Sequence, residues 1–139
     1  MERELAAGGP TVLIVEDDPR IADFMDRGLR KSGFAVEWMT TAGEALERLA
    51  RGGIDIHILD LGLPDMDGLD LQRELIRRGI AVPTVVVTAR TDPRDRAEAE
   101  SLGLHRYITK PFAWKDLLSA VQACASVTDR DGMSKAQFS

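Results

Sequence analysis

Four short apolar runs of the chain end on residues that can handle a phosphoryl group or a metal ion. Val12-Leu13-Ile14-Val15 leads into Glu16-Asp17-Asp18, and Ile54-Asp55-Ile56-His57-Ile58-Leu59 ends on Asp60. Val85-Val86-Val87 ends on Thr88, and Tyr107-Ile108-Thr109 ends on Lys110-Pro111. Carboxylates gathered in one pocket repel, and protonation or a cation must relieve them. Oxygen donors with no His or Cys beside them select a hard cation; Mg²⁺ keeps part of its water and takes a few carboxylates together with phosphate oxygens. Such a cation neutralises an incoming phosphoryl group while a carboxylate attacks it. Lys110 adds a compact positive charge for the same oxygens, and Thr88 adds a hydroxyl donor. The ensemble suits transfer of phosphate onto Asp60, giving an acyl phosphate.

These side chains meet only if the runs are parallel strands of one sheet, whose carboxyl edge is where open α/β folds bind ligands. The intervening segments read as the required helices. Asp18-Pro19 is a helix start, with Ile21, Phe24, Met25 and Leu29 at helical spacing and Gly33 as the stop. A second strand at residues 34–38 precedes Thr41-Ala42-Gly43-Glu44, which has the form of a capping box. Strands at 55–59 and 83–87 flank a helix at about 68–78 that carries Leu69, Leu71, Leu75 and Ile76. Asp92-Pro93 repeats the helix start, but the segment 94–102 behind it has a weak apolar face, which marks the most mobile helix. A fifth strand at 105–108 leads to a last helix from Trp114 to about residue 125, with Leu117, Leu118 and Val121 inward. Almost wholly apolar strands alternating with helices predict a parallel sheet covered on both faces, an α/β fold in three layers. Residues 1–10 read as a flexible leader, 11–126 as the domain and 127–139 as a polar, disordered tail.

The 139 residues leave room for one domain with a full core. A formal net charge of −5 argues against direct nucleic-acid binding. No apolar stretch is long enough to span a bilayer, the first residues do not form a signal peptide, and the single Cys124 fits a reducing compartment. The expectation is a cytoplasmic protein with no membrane partner.

Four blocks together carry a family resemblance: Val15-Glu16-Asp17-Asp18; Leu59-Asp60-Leu61-Gly62-Leu63-Pro64-Asp65-Met66-Asp67-Gly68; Val87-Thr88-Ala89; and Tyr107-Ile108-Thr109-Lys110-Pro111-Phe112. In order and spacing they resemble the receiver domain of bacterial two-component response regulators, over roughly residues 11–125. The resemblance implies a flavodoxin-like, doubly wound sheet of order 2-1-3-4-5 with five helices. It implies that Asp60 is the phospho-acceptor and that Glu16, Asp17, Asp60 and the backbone carbonyl of Gly62 hold Mg²⁺, for which Mn²⁺ can substitute. Thr88 and Lys110 would bind phosphoryl oxygens, Thr88 and Tyr107 would switch, Ala89 and Arg90 would lie at the periphery, and the Lys110–Pro111 bond would be cis. The implied donor is a phosphohistidine on a sensor histidine kinase or phosphotransfer protein. The implied output is a downstream partner bound by the face of the fourth helix, fifth strand and fifth helix. The receiver would supply the site for its own phosphorylation and slow dephosphorylation without being an enzyme in the ordinary sense.

Some positions depart from the commonest family pattern. Glu16 stands where Asp is more usual, Gly62 offers no side chain to the site, and Arg90 is long and cationic. Leu104-His105-Arg106 replaces an acidic stretch, so the salt-bridged dimer of many DNA-binding regulators is not carried over and a monomer or weak dimer is expected.

Taken singly, each block has a bland reading. Glu16-Asp17-Asp18 alone is a solvated helix cap, Asp60 a strand-end acid, and Lys110-Pro111 a turn. His57, pointing away from Asp60, reads as structural, and His105 as a loop or strand residue. Trp38 and Trp114 read as packing or partner-surface residues. The chain reads as a stand-alone receiver, with two alternatives: the amino-terminal receiver of a longer DNA-binding or enzymatic regulator, and a pseudo-receiver that binds without phosphorylation. A phosphatase would carry a second acid where Gly62 stands, and a flavodoxin would carry a polar phosphate loop where the three acids stand.

Overall fold

The structure is a computed structural model that describes residues 9–138, with side chains described through residue 126. Of the expected leader at residues 1–10, all but the last two residues lie outside the described part. The elements alternate strictly: β1 (Thr11–Val15), α1 (Pro19–Lys31), β2 (Ala35–Met39), α2 (Ala42–Ala50), β3 (Ile56–Leu59), α3 (Gly68–Arg77), β4 (Thr84–Thr88), α4 (Pro93–Ser101), β5 (Arg106–Thr109) and α5 (Trp114–Phe138). All strand pairs are parallel, and the sheet order is β2-β1-β3-β4-β5. This is the expected flavodoxin-like order, and every boundary except the end of α5 lies within one or two residues of its expected position.

Alternation along the strands divides the interior in two. Val12, Ile14, Ile56, Ile58, Val85 and Val87 face a core closed by Ala22, Met25 and Leu29 of α1 and by Leu117, Val121 and Cys124 of α5. Leu13, Val15, Leu59 and Val86 face a second core under α2, α3 and α4. The period of two in each strand thus becomes a three-layer molecule.

Helix α1 begins as read: the Asp18 carboxylate accepts the Arg20 N–H at 2.9 Å, and Pro19 occupies the first turn. Its glycine has a packing reason. A Cβ at Gly28 would fall 2.4 Å from the Trp114 ring, so only a bare backbone lets that indole of α5 lie on α1. Phe24, which the helical spacing places on the apolar stripe, is instead half exposed at its edge, with Phe112 and Trp114 against it at centroid distances of 6.0 and 5.9 Å. Ile76 is likewise half exposed on α3. Both sit at the margin of a stripe whose centre is already filled.

The last helix departs most from expectation. It continues to Phe138, where the sequence reading ended it near residue 125 and expected residues 127–139 to be disordered. The physical reason lies in what the segment lacks. It holds no proline, and its only glycine, Gly132, costs a helix interior about 1 kcal/mol, so polarity alone does not stop the helix.

Candidate functional site

Two strand ends place the acidic residues. β1 stops at Val15 and the chain turns into α1, leaving Glu16 buried and Asp17 exposed at the sheet edge. β3 lies beside β1 in register, so Asp60 follows Leu59 directly across from Glu16, and its N–H donates to the Val15 carbonyl at 3.0 Å. One carboxylate oxygen from each of Glu16, Asp17 and Asp60 lies within 4.8 Å of the others. β5 delivers the cation: Thr109 pairs with Thr88, and the Lys110 N–H donates to the Thr88 carbonyl at 2.8 Å. The Lys110–Pro111 bond that follows is cis, as the resemblance implies.

Lys110 Nζ lies 2.8 Å from Glu16 Oε1 and 3.3 Å from Asp60 Oδ2. The first is an ion-pair distance without hydrogen-bond alignment, so Glu16 Oε1 stays a buried oxygen with no aligned donor. Glu16 Oε2 accepts the Asp18 N–H at 2.9 Å. Burial raises the Glu16 carboxyl above its ordinary range and the neighbouring Asp60 charge adds to this, against the lowering effect of Lys110 and the Asp18 N–H. For Lys110, burial alone would lower the ammonium; Glu16 and Asp60 outweigh it and hold the pKa above its usual value.

Asp60 Oδ1 accepts the Gly62 N–H at 3.2 Å, and Gly62 then bridges Asp67 as the loop doubles back. Gly68 closes it: a Cβ there would fall 2.7 Å from Leu61 Cα and 2.8 Å from the Asp60 carbonyl oxygen. The Gly62 position is open, with nothing within 4 Å of a Cβ, so glycine is not required there by packing. On the other side, a largely apolar hollow of about 600 Å³ runs from Lys110 and Ala89 past Pro111 and Phe112 to Ile21 and Phe24.

The switch candidates lie on the β4 side. Thr88 is buried, and its hydroxyl accepts the Arg90 N–H at 3.3 Å. Tyr107 donates its hydroxyl to the Arg90 carbonyl at 3.2 Å, and the Arg96 guanidinium lies 5.4 Å from its ring centroid. Burial, reinforced by Asp95, pushes the Tyr107 phenol up.

Sequence reasoning missed several supports. Asp65 accepts the Ala42 and Gly43 N–H groups at 2.8 and 3.0 Å, fastening the β3–α3 loop to the start of α2. Trp38 donates its indole N–H to the Glu16 carbonyl at 2.6 Å, so the two tryptophans separate: Trp38 braces the acidic turn, while Trp114 packs on α1. Asp67 caps α3 through Leu69 N–H at 2.8 Å and pairs with Arg90 at 2.7 Å. The cap was legible as an Asp before Gly68, but no spacing rule announces the pair. His57 is buried and mid-strand as read. The Thr84 hydroxyl, committed to the Val82 carbonyl at 2.8 Å, lies 3.4 Å from Nδ1, and Nε2 has no partner.

The comparisons with known proteins decide the family. The family model of the response regulator receiver domain matches residues 12–122. The chain belongs to that family. It is 39% identical over 112 residues to the transcriptional regulatory protein QseB of Escherichia coli O157:H7, covering 81% of this chain and 51% of that one. It is 40% identical over 113 residues to the sensory transduction protein RegX3 of Mycobacterium tuberculosis, with coverages of 81% and 49%. The chain therefore spans about half the length of these curated relatives. Among solved structures, the CheY-like receiver domain protein of Methanospirillum hungatei superposes with a TM-score of 0.82 at 27% identity, covering 88% of this chain and 98% of that one. The non-phosphorylated HemR receiver domain of Leptospira biflexa gives 0.78 at 31% identity, with coverages of 84% and 94%.

As a receiver of a two-component response regulator, the chain has an acidic pocket that suits a hard divalent cation. Glu16, Asp17 and Asp60 supply only oxygens to it. Among the described residues, no helix is long and apolar enough to cross a membrane.

Proposed function

We propose that Asp60 is the phospho-acceptor of this receiver. The observation that carries the reading is the convergence of Glu16, Asp17 and Asp60 within 4.8 Å, with Lys110 Nζ against two of them. A carboxylate oxygen of Asp60 attacks the phosphorus of a phosphohistidine, the N–P bond breaks, and the imidazole leaves with the electron pair and takes a proton. Mg²⁺, or Mn²⁺ in its place, held by Glu16, Asp17, Asp60 and the Gly62 carbonyl, would supply charge neutralisation for the transferred group. Lys110 exchanges its Asp60 contact for a phosphoryl oxygen. The Thr88 hydroxyl turns from the Arg90 N–H to donate to another. Self-hydrolysis of the acyl phosphate proceeds at the same site, where Gly62 offers no side chain and Ala89 and Arg90 stand at the rim. The apolar hollow beside Lys110 gives the donor, a sensor histidine kinase or phosphotransfer protein, a place to rest.

The Tyr107 hydroxyl already reaches the Arg90 carbonyl, so phosphorylation strengthens an arrangement that is available beforehand, a shift of population. The output surface is the α4-β5-α5 face, and its ligand is a downstream protein. The matched relatives carry about as much chain again outside the matched segment. That observation favours the second reading, a receiver joined to an output domain, over the stand-alone one. The intact mass of the protein purified from its own cells decides between them.

The acceptor assignment is tested by intact mass after incubation with a small acyl phosphate, with and without Mg²⁺, beside Asp60→Asn. One Mg²⁺-dependent phosphoryl adduct is expected in the wild type and none in the variant. An equal adduct on both moves the acceptor elsewhere, and none on either, with both folded, makes the chain a phosphorylation-independent binding module.

A further inference from the structure

Arg90 links the loop after Asp60 to the candidate switch residues Thr88 and Tyr107. Its guanidinium Nη2 donates to Asp67 Oδ2 at 2.7 Å and to the Leu61 carbonyl at 3.2 Å, and Nη1 lies 3.9 Å from Asp95 in the first turn of α4. Its backbone N–H holds the Thr88 hydroxyl and its carbonyl holds the Tyr107 hydroxyl. The partners on the far side are themselves anchored. Asp67 uses its other oxygen to cap α3, and the Leu61 carbonyl also accepts the Gly68 N–H at 2.8 Å. Gly62, whose carbonyl is a candidate metal ligand, lies between Leu61 and its own bridge to Asp67. One side chain thus closes both ends of the metal-side loop and ties them to the loop that carries the switch.

We propose that Arg90 is a positioning residue: its strap to Asp67 and Leu61 couples cation binding at the acidic pocket to the β4–α4 loop and the first turn of α4. The inference rests on the metal reading above and goes beyond it, because it names the connection between the two loops. Both partners are partly shielded, with side-chain exposures of 30% and 36%, and the pair is supplemented by a carbonyl contact, unlike an isolated surface ion pair. A planar guanidinium reaches the carboxylate and the carbonyl together, whereas an ammonium on a flexible stem is a single point charge. Linkage makes the effect reciprocal: whatever orders residues 61–68 favours the strapped position of the switch loop, and the reverse.

The test uses Asp67→Asn, which keeps a capping oxygen for α3 but loses the charge, Arg90→Gln, and the double variant. Mg²⁺ alone is titrated into each protein and followed by calorimetry and by backbone amide shifts, with thermal unfolding as the folding control. In the wild type, Mg²⁺ is expected to shift amides in residues 61–68 and also in 89–95. Each single variant should bind roughly three- to ten-fold more weakly and lose the shifts in 89–95 while keeping those beside Asp60. The double variant should be no weaker than the worse single. Wild-type affinity with full propagation in both singles overturns the strap, as do strictly additive losses. A wild type that binds no Mg²⁺ overturns the strap and the metal reading together, and so is distinguished from failure of the strap alone.

Discussion

Helices α1 and α4 begin with the same three residues, Asp-Pro-Arg, and with the same local geometry. Asp18 accepts the Arg20 N–H and Asp92 the Arg94 N–H, each at 2.9 Å, and each arginine folds back on its aspartate. Beyond the first turn they diverge. α1 buries Ala22, Met25 and Leu29 in the core it shares with α5. α4 buries only Ala99 and is held by polar contacts: Arg73 to Glu98, Arg96 over Tyr107, the Arg90–Asp95 approach, and Gln72 to the Leu102 carbonyl just beyond its end. An identical cap sets where a helix starts, and burial sets how firmly it stays. The firmly held helix follows the acidic ligands, and the loosely held one follows the candidate switch residue, the distribution expected of a fixed site with a compliant output face.

The contrast is testable, and its largest expected effect is in the core of α1. Leu29→Ala should cost about 2–5 kcal/mol in denaturant unfolding, against roughly 1 kcal/mol for Ala99→Gly in α4. Equal losses would mean that α4 is docked as firmly as α1. Next comes acid. His57 is fully buried on the layer that α3 and α4 cover, and burial lowers its pKa from 6.5 to about 4. The unfolded chain then binds the extra proton first, so this contribution is complete above pH 6.5 and is lost as pH falls towards about 4. The full loss is roughly 3 kcal/mol. Unfolding curves of wild type and His57→Leu should converge in slope above that window and diverge within it; parallel profiles throughout would contradict a neutral buried imidazole. The smallest effects are at the caps. Asp92→Ala should speed amide exchange in α4 while leaving global unfolding almost unchanged, whereas Asp18→Ala should lower global stability, because α1 unfolds only with the core. Exchange that rises equally in both helices without a global change would erase the distinction.

Much of the fold and the candidate site was legible because the signals are local. Short apolar runs, Asp-Pro starts and glycine stops act over a few residues, and they mark every strand and helix to within a residue or two, apart from the end of α5. Once the strands are parallel, strand ends must share an edge, so Glu16, Asp17, Asp60, Thr88 and Lys110 could be singled out before their distances were known. The exposed flank of α1 at Phe24 was not legible, since spacing identifies a stripe but not which of its margins finds a partner.

By itself, the sequence determined the alternation of strands with helices, the Asp-Pro helix starts and the residue types at the sheet's carboxyl edge. Only the tertiary structure decided that Trp38 braces Glu16, that Asp65 reaches α2, that Asp67 meets Arg90, and that His57 Nε2 is left without a partner. Those contacts join residues brought close by packing rather than by covalent neighbourhood, and their energies depend on burial and approach angle, quantities that have no value until the chain has folded.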